Sequence, residues 1–510
     1  MSAPETAVEL YTSDSVRRID RSAIERCGIP GFTLMQRAAD AAFASLRRRW
    51  PDARRIGVVA GPGNNGGDAF LLARAALHAG LAVEVLTLSG EAHGDAAQAR
   101  AAFTEAGGRF VPLRVDTPLP DADVHVDGLF GTGLRRAVAG PAAALIDRLN
   151  ACGRPLLALD LPSGLDADTG TCPGAAVRAA ATVSFVAWKR GLFTADAADC
   201  CGALELATLD VPGAAYAGID ADAMLLDAGI DRALPPRSNN VNKGRFGHVL
   251  TVGGDHGMGG AVRLAGEAAL RVGAGLVSIA TRTAHVVALN AGRPELMAHG
   301  SDDPQSLAPL LERASVVALG PGLGQGAWGH ALWDAALSAA AGRDCTFVLD
   351  ADALNLLARQ PRPLPVACVL TPHPGEAARL LGCDIATVQR DRFAAVRALA
   401  QRHRAVVVLK GSGSLVADPA GCVAVCRWGN PGMASAGMGD VLTGVVAGLL
   451  AQGLSGWDAA RLGVAVHARA GDAAAGAAPR GLIASDLFAG FRTFANRFPD
   501  DGVPPQAGHD

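Results

Sequence analysis

Lysine is nearly missing from this 510-residue chain: of 46 basic residues only Lys189, Lys243 and Lys410 are lysine, and the rest are arginine. Arginine serves wherever a surface needs only positive charge, so a retained lysine marks a place where a compact, flexible ammonium has a use. Chance retention is the competing reading for each. Charge of neither sign dominates. The 46 basic and 49 acidic residues leave a formal charge of −3, which argues against nucleic acid or an anionic membrane as the main partner. None of the ten cysteines stands in a Cys-x-x-Cys pair, which sets structural zinc aside. Their scatter through apolar stretches predicts buried thiols in a reducing compartment. Long hydrophobic runs are missing too. The longest, from Val441 to Leu454, is broken by glycines and Gln452 and falls short of the ~18–20 apolar residues of a membrane span. The stretch MSAPETAVEL carries neither a basic segment nor a long apolar one, so no secretory signal is expected and the expected location is cytoplasmic.

What is present is core-forming. Half the residues are hydrophobic and 19% are charged, a globular composition. At ~100–200 residues per domain the length accommodates two to four domains. IGVVAG reads as a buried strand, AFLLARAALHAG as the helix after it and VEVLTL as the next strand. Such alternation predicts parallel sheets with helices on both faces. It lapses around Pro212, Gly213, Pro235, Pro236 and an Asn pair, then restarts at HVLTVGG. The expectation is therefore two doubly wound α/β domains. The first, Rossmann-like, covers 1–220; the second covers 237–500; 221–236 is a linker and 501–510 a disordered tail.

In the first half, GPGNNGGD follows a strand and precedes a helix. Gly61, Gly63, Gly66 and Gly67 permit positive φ and close approach of a ligand to the backbone. The N–H groups of the coming helix favour an anion such as a phosphate. The spacing matches neither Walker A nor Gly-x-Gly-x-x-Gly, and an ordinary βα turn is the competing reading. Two more apolar strands end in polar, Gly-rich turns: one carries Asp127, Gly131, Thr132 and Gly133, the other Asp160, Ser163, Asp166 and Asp168. Ligands of open parallel sheets bind beyond the carboxyl ends of the strands. Asn65, Asp127 and Ser163 offer hard oxygen donors for a hard cation. For Asp166 and Asp168 the expected role is a turn or helix cap.

The second half holds GNPGMASAGMGDVLTGVVAGLLA. A flexible Gly-rich run enters an apolar helix near Asp440. The N–H groups of Ala436 to Gly439 suit the charge on a transferring phosphoryl group, and Asp440 suits removal of a proton from an attacking hydroxyl. A helix cap is the bland alternative. Lys410, Gly411, Ser412, Gly413 and Ser414 follow another strand, where a lysine on a Gly/Ser turn suits a diphosphate. GPGLG, Gly320 to Gly324, and TPHPGE with His373 are further strand-end turns. Pro372 and Pro374 stiffen the second, although His373 is also a candidate helix cap. VLDADALN brings Asp350, Asp352 and Asn355 to one more strand end.

These motifs resemble two known families. GPGNNGGD, DGLFGTG, DLPSGLDADTG and FVAWKRGL resemble the NAD(P)H-hydrate epimerases over residues 10–215. The resemblance implies that the hydrated dinucleotide (NADHX or NADPHX) contacts Asn64, Asn65, Gly66, Gly67 and Asp68. It also implies contacts from Gly131, Thr132, Gly133, Leu134, Arg135, Arg136 and Ala137. Asp160 would transfer the proton, and Asn65, Asp127 and Ser163 would hold K+. The role of Lys189 stays open between chemistry and a structural salt bridge. KGRFGHVLTVGG, GPGLG, LDADALN, LTPHPGE, LKG and GNPGMASAGMGD resemble the ADP/ATP-dependent NAD(P)H-hydrate dehydratases of the ribokinase-like superfamily over 237–500. There the adenine nucleotide would contact Lys410, Gly411, Ser412, Gly413, Ser414 and Gly439, with Mg2+ accompanying it. The hydrate would contact Gly322, His373 and Asp440. Ser414 stands where threonine is more usual, and the role of Lys243 is open. The resemblance implies a bifunctional enzyme that epimerises the hydrates and dehydrates one epimer at the expense of ADP or ATP, with ADP the expected nucleotide. The competing reading is a ribokinase-like small-molecule kinase joined to a non-catalytic nucleotide- or partner-binding module. Ala-rich helices make a homo-oligomer the expected assembly.

Overall fold

The computed structural model describes residues 8–496 apart from Ser89, Val115, Asp116, Arg135, Ala341, Gly342, Asp344 and Val366. The tail expected at 501–510 and the predicted contact residue Arg135 lie outside the described residues. The chain forms two compact units, one spanning Glu9–Ala223 and the other continuing from Met224.

The sheet of the first unit runs in the order Phe110–Pro112, Ala82–Thr87, Arg55–Ala60, Val124–Gly128, Leu156–Leu159, Ala181–Phe185, Ala203–Ala207. Every pairing is parallel. Chain order reverses between Arg55–Ala60 and Val124–Gly128, so the crevice beyond these two strand ends is the topological switch point at which doubly wound sheets bind ligands. The Gly-rich run after Ala60 and the turn after Gly128 both start there. The strands are short apolar runs because helices cover both faces: Val58, Val59, Ala60, Val126 and Leu157 are fully buried.

The second unit's sheet is parallel through Met297–Gly300, Leu276–Thr281, His248–Val252, Val316–Leu319, Thr346–Leu349, Cys368–Leu370 and Val406–Leu409. An antiparallel hairpin, Ser414–Ala417 and Val423–Cys426, extends it. The helix Met438–Ala451 is apolar almost all round, with Val441, Val445, Val446 and Leu449 at 0% exposure. Each such side chain contributes about 1.5–3 kcal/mol by burial. Gly444 lets this helix lie directly on Gly259–Val272, because a Cβ there would collide with the Ala265 carbonyl.

Two expectations need correction. The segment 221–236 is not a plain linker. Met224 and Leu225 pair parallel with Ala424 and Val425, and a 3-10 turn follows at Ala228–Ala233. A strand this short, set among Gly, Asp and Pro, shows no period. Nor are all cysteines buried: Cys200, Cys201, Cys368 and Cys426 are, but Cys383 and Cys422 are exposed. Cys383 follows the left-handed Gly382 that ends a helix, and Cys422 sits in the turn of the hairpin. Among the described residues no helix is long and apolar enough to cross a membrane.

Candidate functional sites

In the first unit the helix begins earlier than its apolar pattern predicts, at Asn64, so Asn64 to Asp68 form its opening turns. None of Gly61, Gly63, Gly66 and Gly67 has a positive φ. Two of these glycines instead permit close packing. A Cβ on Gly66 would strike the Gly61 carbonyl, and one on Gly67 would lie 2.6 Å from the Met35 sulfur. The result is a helix N-terminus packed closely against Gly61 and Met35 at the switch point, the kind of end at which anions bind. Asn64 is exposed, whereas Asn65 and Asp68 are buried.

Beside it lies a buried oxygen cluster. Asp127, fully buried at its strand end, accepts from Ser163 N at 2.8 Å, Ser163 Oγ at 2.7 Å and Leu129 N at 3.2 Å. Burial pushes its carboxyl up to about 6, with those hydrogen bonds acting the other way. Neither amide atom of the buried Asn65 has a hydrogen-bond partner. An unmatched amide, a buried carboxylate and a hydroxyl form an all-oxygen donor set that fits a hard monovalent cation.

Asp160 ends the neighbouring strand with φ 64, a left-handed conformation that costs a non-Gly residue and is retained where the surroundings fix it. Its carboxylate forms an ion pair with Lys189, whose side chain is 1% exposed. Lys189 Nζ also donates to Ser184 Oγ at 3.1 Å and the Phe185 carbonyl at 2.7 Å. The other carboxylate oxygen faces Thr132 N at 3.4 Å, and a Cβ placed on Gly131 would lie 3.2 Å from it and 3.4 Å from Asn65. Asn65, Gly131, Thr132 and Asp160 therefore converge, while Gly133, Arg136 and Ala137 are exposed on the outgoing turn. Two more carboxylates share this field. Burial, then Asp160 and Asp20, hold Asp68 well above its ordinary range. Burial pushes Asp20 to about 6 against the pull of Lys189. Sequence reasoning missed Asp20, which sits in a helix with no motif.

In the second unit the helix bearing Asp440 starts at Met438, behind a left-handed Gly437 with φ 87, and no side chain caps it. Asp440 therefore stands in the first turn without serving as a cap. Burial, then Asp350, push its carboxyl to about 7, while Lys410 pulls it down. Lys410 does not simply point outward from its turn. Its Nζ donates to Asp350 Oδ1 at 2.7 Å and lies 3.9 Å from Glu376 Oε2. A Cβ on Gly439 would be 3.2 Å from this ammonium. Glu376 is pushed up to about 7, mainly by burial. The turn Lys410 to Ser414 is closed by Ser414 Oγ, which donates to the Gly411 carbonyl at 3.0 Å. Beneath it the buried Arg392 donates to the carbonyls of Leu409 and Lys410, both at 3.3 Å.

His373 is exposed and caps the helix Pro374–Leu381. Its Nδ1 accepts from Gly375 N at 2.9 Å, and Glu376 Oε2 accepts from His373 N at 2.8 Å. Capping and presentation at the site are thus compatible. Gly322 has φ 57 and its carbonyl accepts from Asp255 N at 2.6 Å. The adjoining Gly324 N donates to Asp352 at 2.8 Å, which ties this turn to the Asp350 strand end. Glu376 and Arg392 were missed, and so was the buried Thr443, whose Oγ1 donates to Asp350 at 2.8 Å. Only Glu376 left a signal, three residues after a potential cap.

With this geometry in place, the chain can be compared with known proteins. The family model for NAD(P)H-hydrate dehydratase matches residues 249–490, and that for the YjeF-related protein N-terminus matches 31–191. A bifunctional NAD(P)H-hydrate repair enzyme of Coxiella burnetii is 46% identical over 492 residues, covering 96% of this chain and 99% of that protein. The chain belongs to the bifunctional NAD(P)H-hydrate repair enzyme family. The family member from Escherichia coli K12 is 42% identical over 97% of this chain and 95% of its own length. A ribokinase-like superfamily protein from Enterococcus faecalis superposes with a TM-score of 0.50 at 28% identity, over 53% of this chain and 94% of that one. The second unit has the ribokinase-like fold and the first is Rossmann-like. The kinase alternative gives way, since the matching model is that of the dehydratase.

Proposed function

We propose that the first unit interconverts the R and S epimers of NADHX and NADPHX, and that the second dehydrates the S epimer to NADH or NADPH. ADP is the proposed phosphoryl donor, leaving as AMP. Hydroxide is a poor leaving group. Asp440 takes the proton of the hydrate's hydroxyl as its oxygen attacks the terminal phosphoryl group of ADP. The C–O bond then breaks with loss of phosphate, a ring proton departs and the ring double bond is restored. Lys410, Gly411, Ser412, Gly413, Ser414 and Gly439 receive the nucleotide, with Mg2+ accompanying it, and Gly322 and His373 receive the hydrate. The observation that carries this reading is the placement of Asp440 in the first turn of a helix, with the Lys410 ammonium against the preceding Gly439; burial and Asp350 push the Asp440 carboxyl to about 7.

In the first unit Asp160 moves the proton, with the dinucleotide phosphates at Asn64 to Asp68 and the turn Gly131 to Ala137 alongside. Asn65, Asp127 and Ser163 would hold K+, which supplies charge neutralisation for the buried carboxylate. The unmatched Asn65 amide supports that assignment. A homo-oligomer and a cytoplasmic location complete the proposal. The test is to incubate the full chain with purified S-NADHX and ADP. Return of reduced-nicotinamide absorbance with stoichiometric AMP supports the reading, whereas phosphorylated product without that return contradicts it.

A further inference from the structure

The proposed chemistry of the second unit uses Lys410 and Asp440 but not the group deepest in that site. Asp350 is 1% exposed, at the end of the buried strand Thr346–Leu349. One carboxylate oxygen accepts from Lys410 Nζ at 2.7 Å and the other from Thr443 Oγ1 at 2.8 Å. Thr443 is itself fully buried and stands three residues after Asp440 on the same helix. The next residue after Asp350, Ala351, has φ 49, a strained conformation for a side chain and one retained where the surroundings fix it.

We propose that Asp350 is a positioning residue for dehydration: held by Thr443, it pins the Lys410 ammonium beside Gly439, on the turn that presents Asp440. The inference rests on the reading of Lys410 and Asp440 given above. Lysine has a four-carbon stem and three donors that rotate freely. One donor committed to a buried carboxylate fixes the ammonium in space and leaves the others for the nucleotide. The anchoring hydroxyl comes from the same helix as Asp440, so proton acceptor and ammonium share one frame. Lysine is also scarce in this chain, and a point charge held by one buried carboxylate needs no planar guanidinium.

The groups that face Lys410 define the pH test. Asp350, Glu376 and Asp440 stabilise its charge against the opposing effect of burial. Arg392 donates to its carbonyl. His373 and His467 are both depressed, first by burial and then by Lys410. Asp352 acts on Asp440, and Arg379 on Glu376. Replacing Asp350 by an amide removes the largest support for the ammonium. It therefore loses its proton at lower pH, and the alkaline limb of the dehydration profile moves down.

The experiment measures dehydration of S-NADPHX with ADP by the full chain. Asp350→Asn is expected to lower kcat by roughly 10–100-fold, as when a supporting partner behind a functional group is removed. The KM for ADP should change much less, and the alkaline limb should move to lower pH. Thr443→Val should lose activity in the same direction, and Thr443→Ser should recover most of it, because the hydroxyl and not the methyl is at issue. Should Asp350→Asn fail to fold in a thermal melt, the Thr443 pair decides. A wild-type kcat and pH profile for Asp350→Asn, or equal losses in Thr443→Val and Thr443→Ser, overturns the proposal. Lys410→Met separates the two levels of the argument. If it is inactive while Asp350→Asn is fully active, only the positioning role falls. If it dehydrates at the wild-type rate, the assignment of Lys410 to the site falls and the proposal with it.

Discussion

Both units set a lysine against an aspartate at the end of a parallel strand, Lys189 with its side chain 1% exposed and Lys410 with 18%, and they use that pair differently. In the first, Lys189 meets Asp160, the residue proposed to move the proton. In the second, Lys410 meets Asp350, and the proposed base, Asp440, stays outside the direct pair with its carboxyl pushed up to about 7. Each strand end carries a non-glycine residue with positive φ, Asp160 itself in one and Ala351 in the other. The difference follows from the chemistry. In the proposed epimerase the carboxylate that moves the proton stays in direct contact with an ammonium. A dehydratase base accepts one proton from a hydroxyl, and a pKa near the working pH suits that task. Lys410, held by Asp350, is the group proposed to face phosphate.

The comparison can be broken at several points. The largest effect is expected for Asp440→Asn, which should slow dehydration by ~10²–10⁴-fold, as loss of a general base does. A coupled assay with R and S hydrates should still show epimerisation. Next is Lys189→Met, which leaves Asp160 without its partner beside two other carboxylates. Breaking a buried pair costs about 3–5 kcal/mol. Denaturant unfolding of the first unit should move to lower concentration, and adding Asp160→Asn should restore part of the loss. Lys410→Met should weaken ADP more than AMP, by about 1.5–3 kcal/mol for one charge-assisted contact, as titration calorimetry would show. The mildest test is pH. A base with pKa about 7 is protonated, and inactive, below that value, so dehydration should climb with pH up to about 7 and then hold level until the alkaline limb at which Lys410 loses its proton. A rate already level at pH 5 would dissociate Asp440 from the proton transfer.

The strand-end turns were legible in the sequence because glycines and short polar side chains follow apolar strands there, at the end of a parallel sheet where ligands bind. The two ion pairs were not legible. Asp160 and Lys189 are 29 residues apart, and Asp350 and Lys410 are 60 apart. No periodicity links such positions; only the rarity of lysine hinted at them. Nor does the letter glycine say which of its properties is in use. The glycines of the run Gly61 to Gly67 permit positive φ and close approach of a ligand, but none has a positive φ, and Gly66 and Gly67 serve to bring a helix close to its neighbours. The strand at Met224 and Leu225 was hidden because its partner lies some 200 residues later in the chain, at Ala424 and Val425.

The most direct test of two separate chemistries in one chain is a progress curve of Asp160→Asn on a mixed pool of R and S hydrates with ADP. The account predicts a fast rise in reduced-nicotinamide absorbance to a plateau set by the S fraction, followed only by slow uncatalysed epimerisation. The same pool with the unaltered chain should run to completion. An Asp160→Asn protein that consumes both epimers without a plateau would contradict the account and place the proton transfer elsewhere in the first unit.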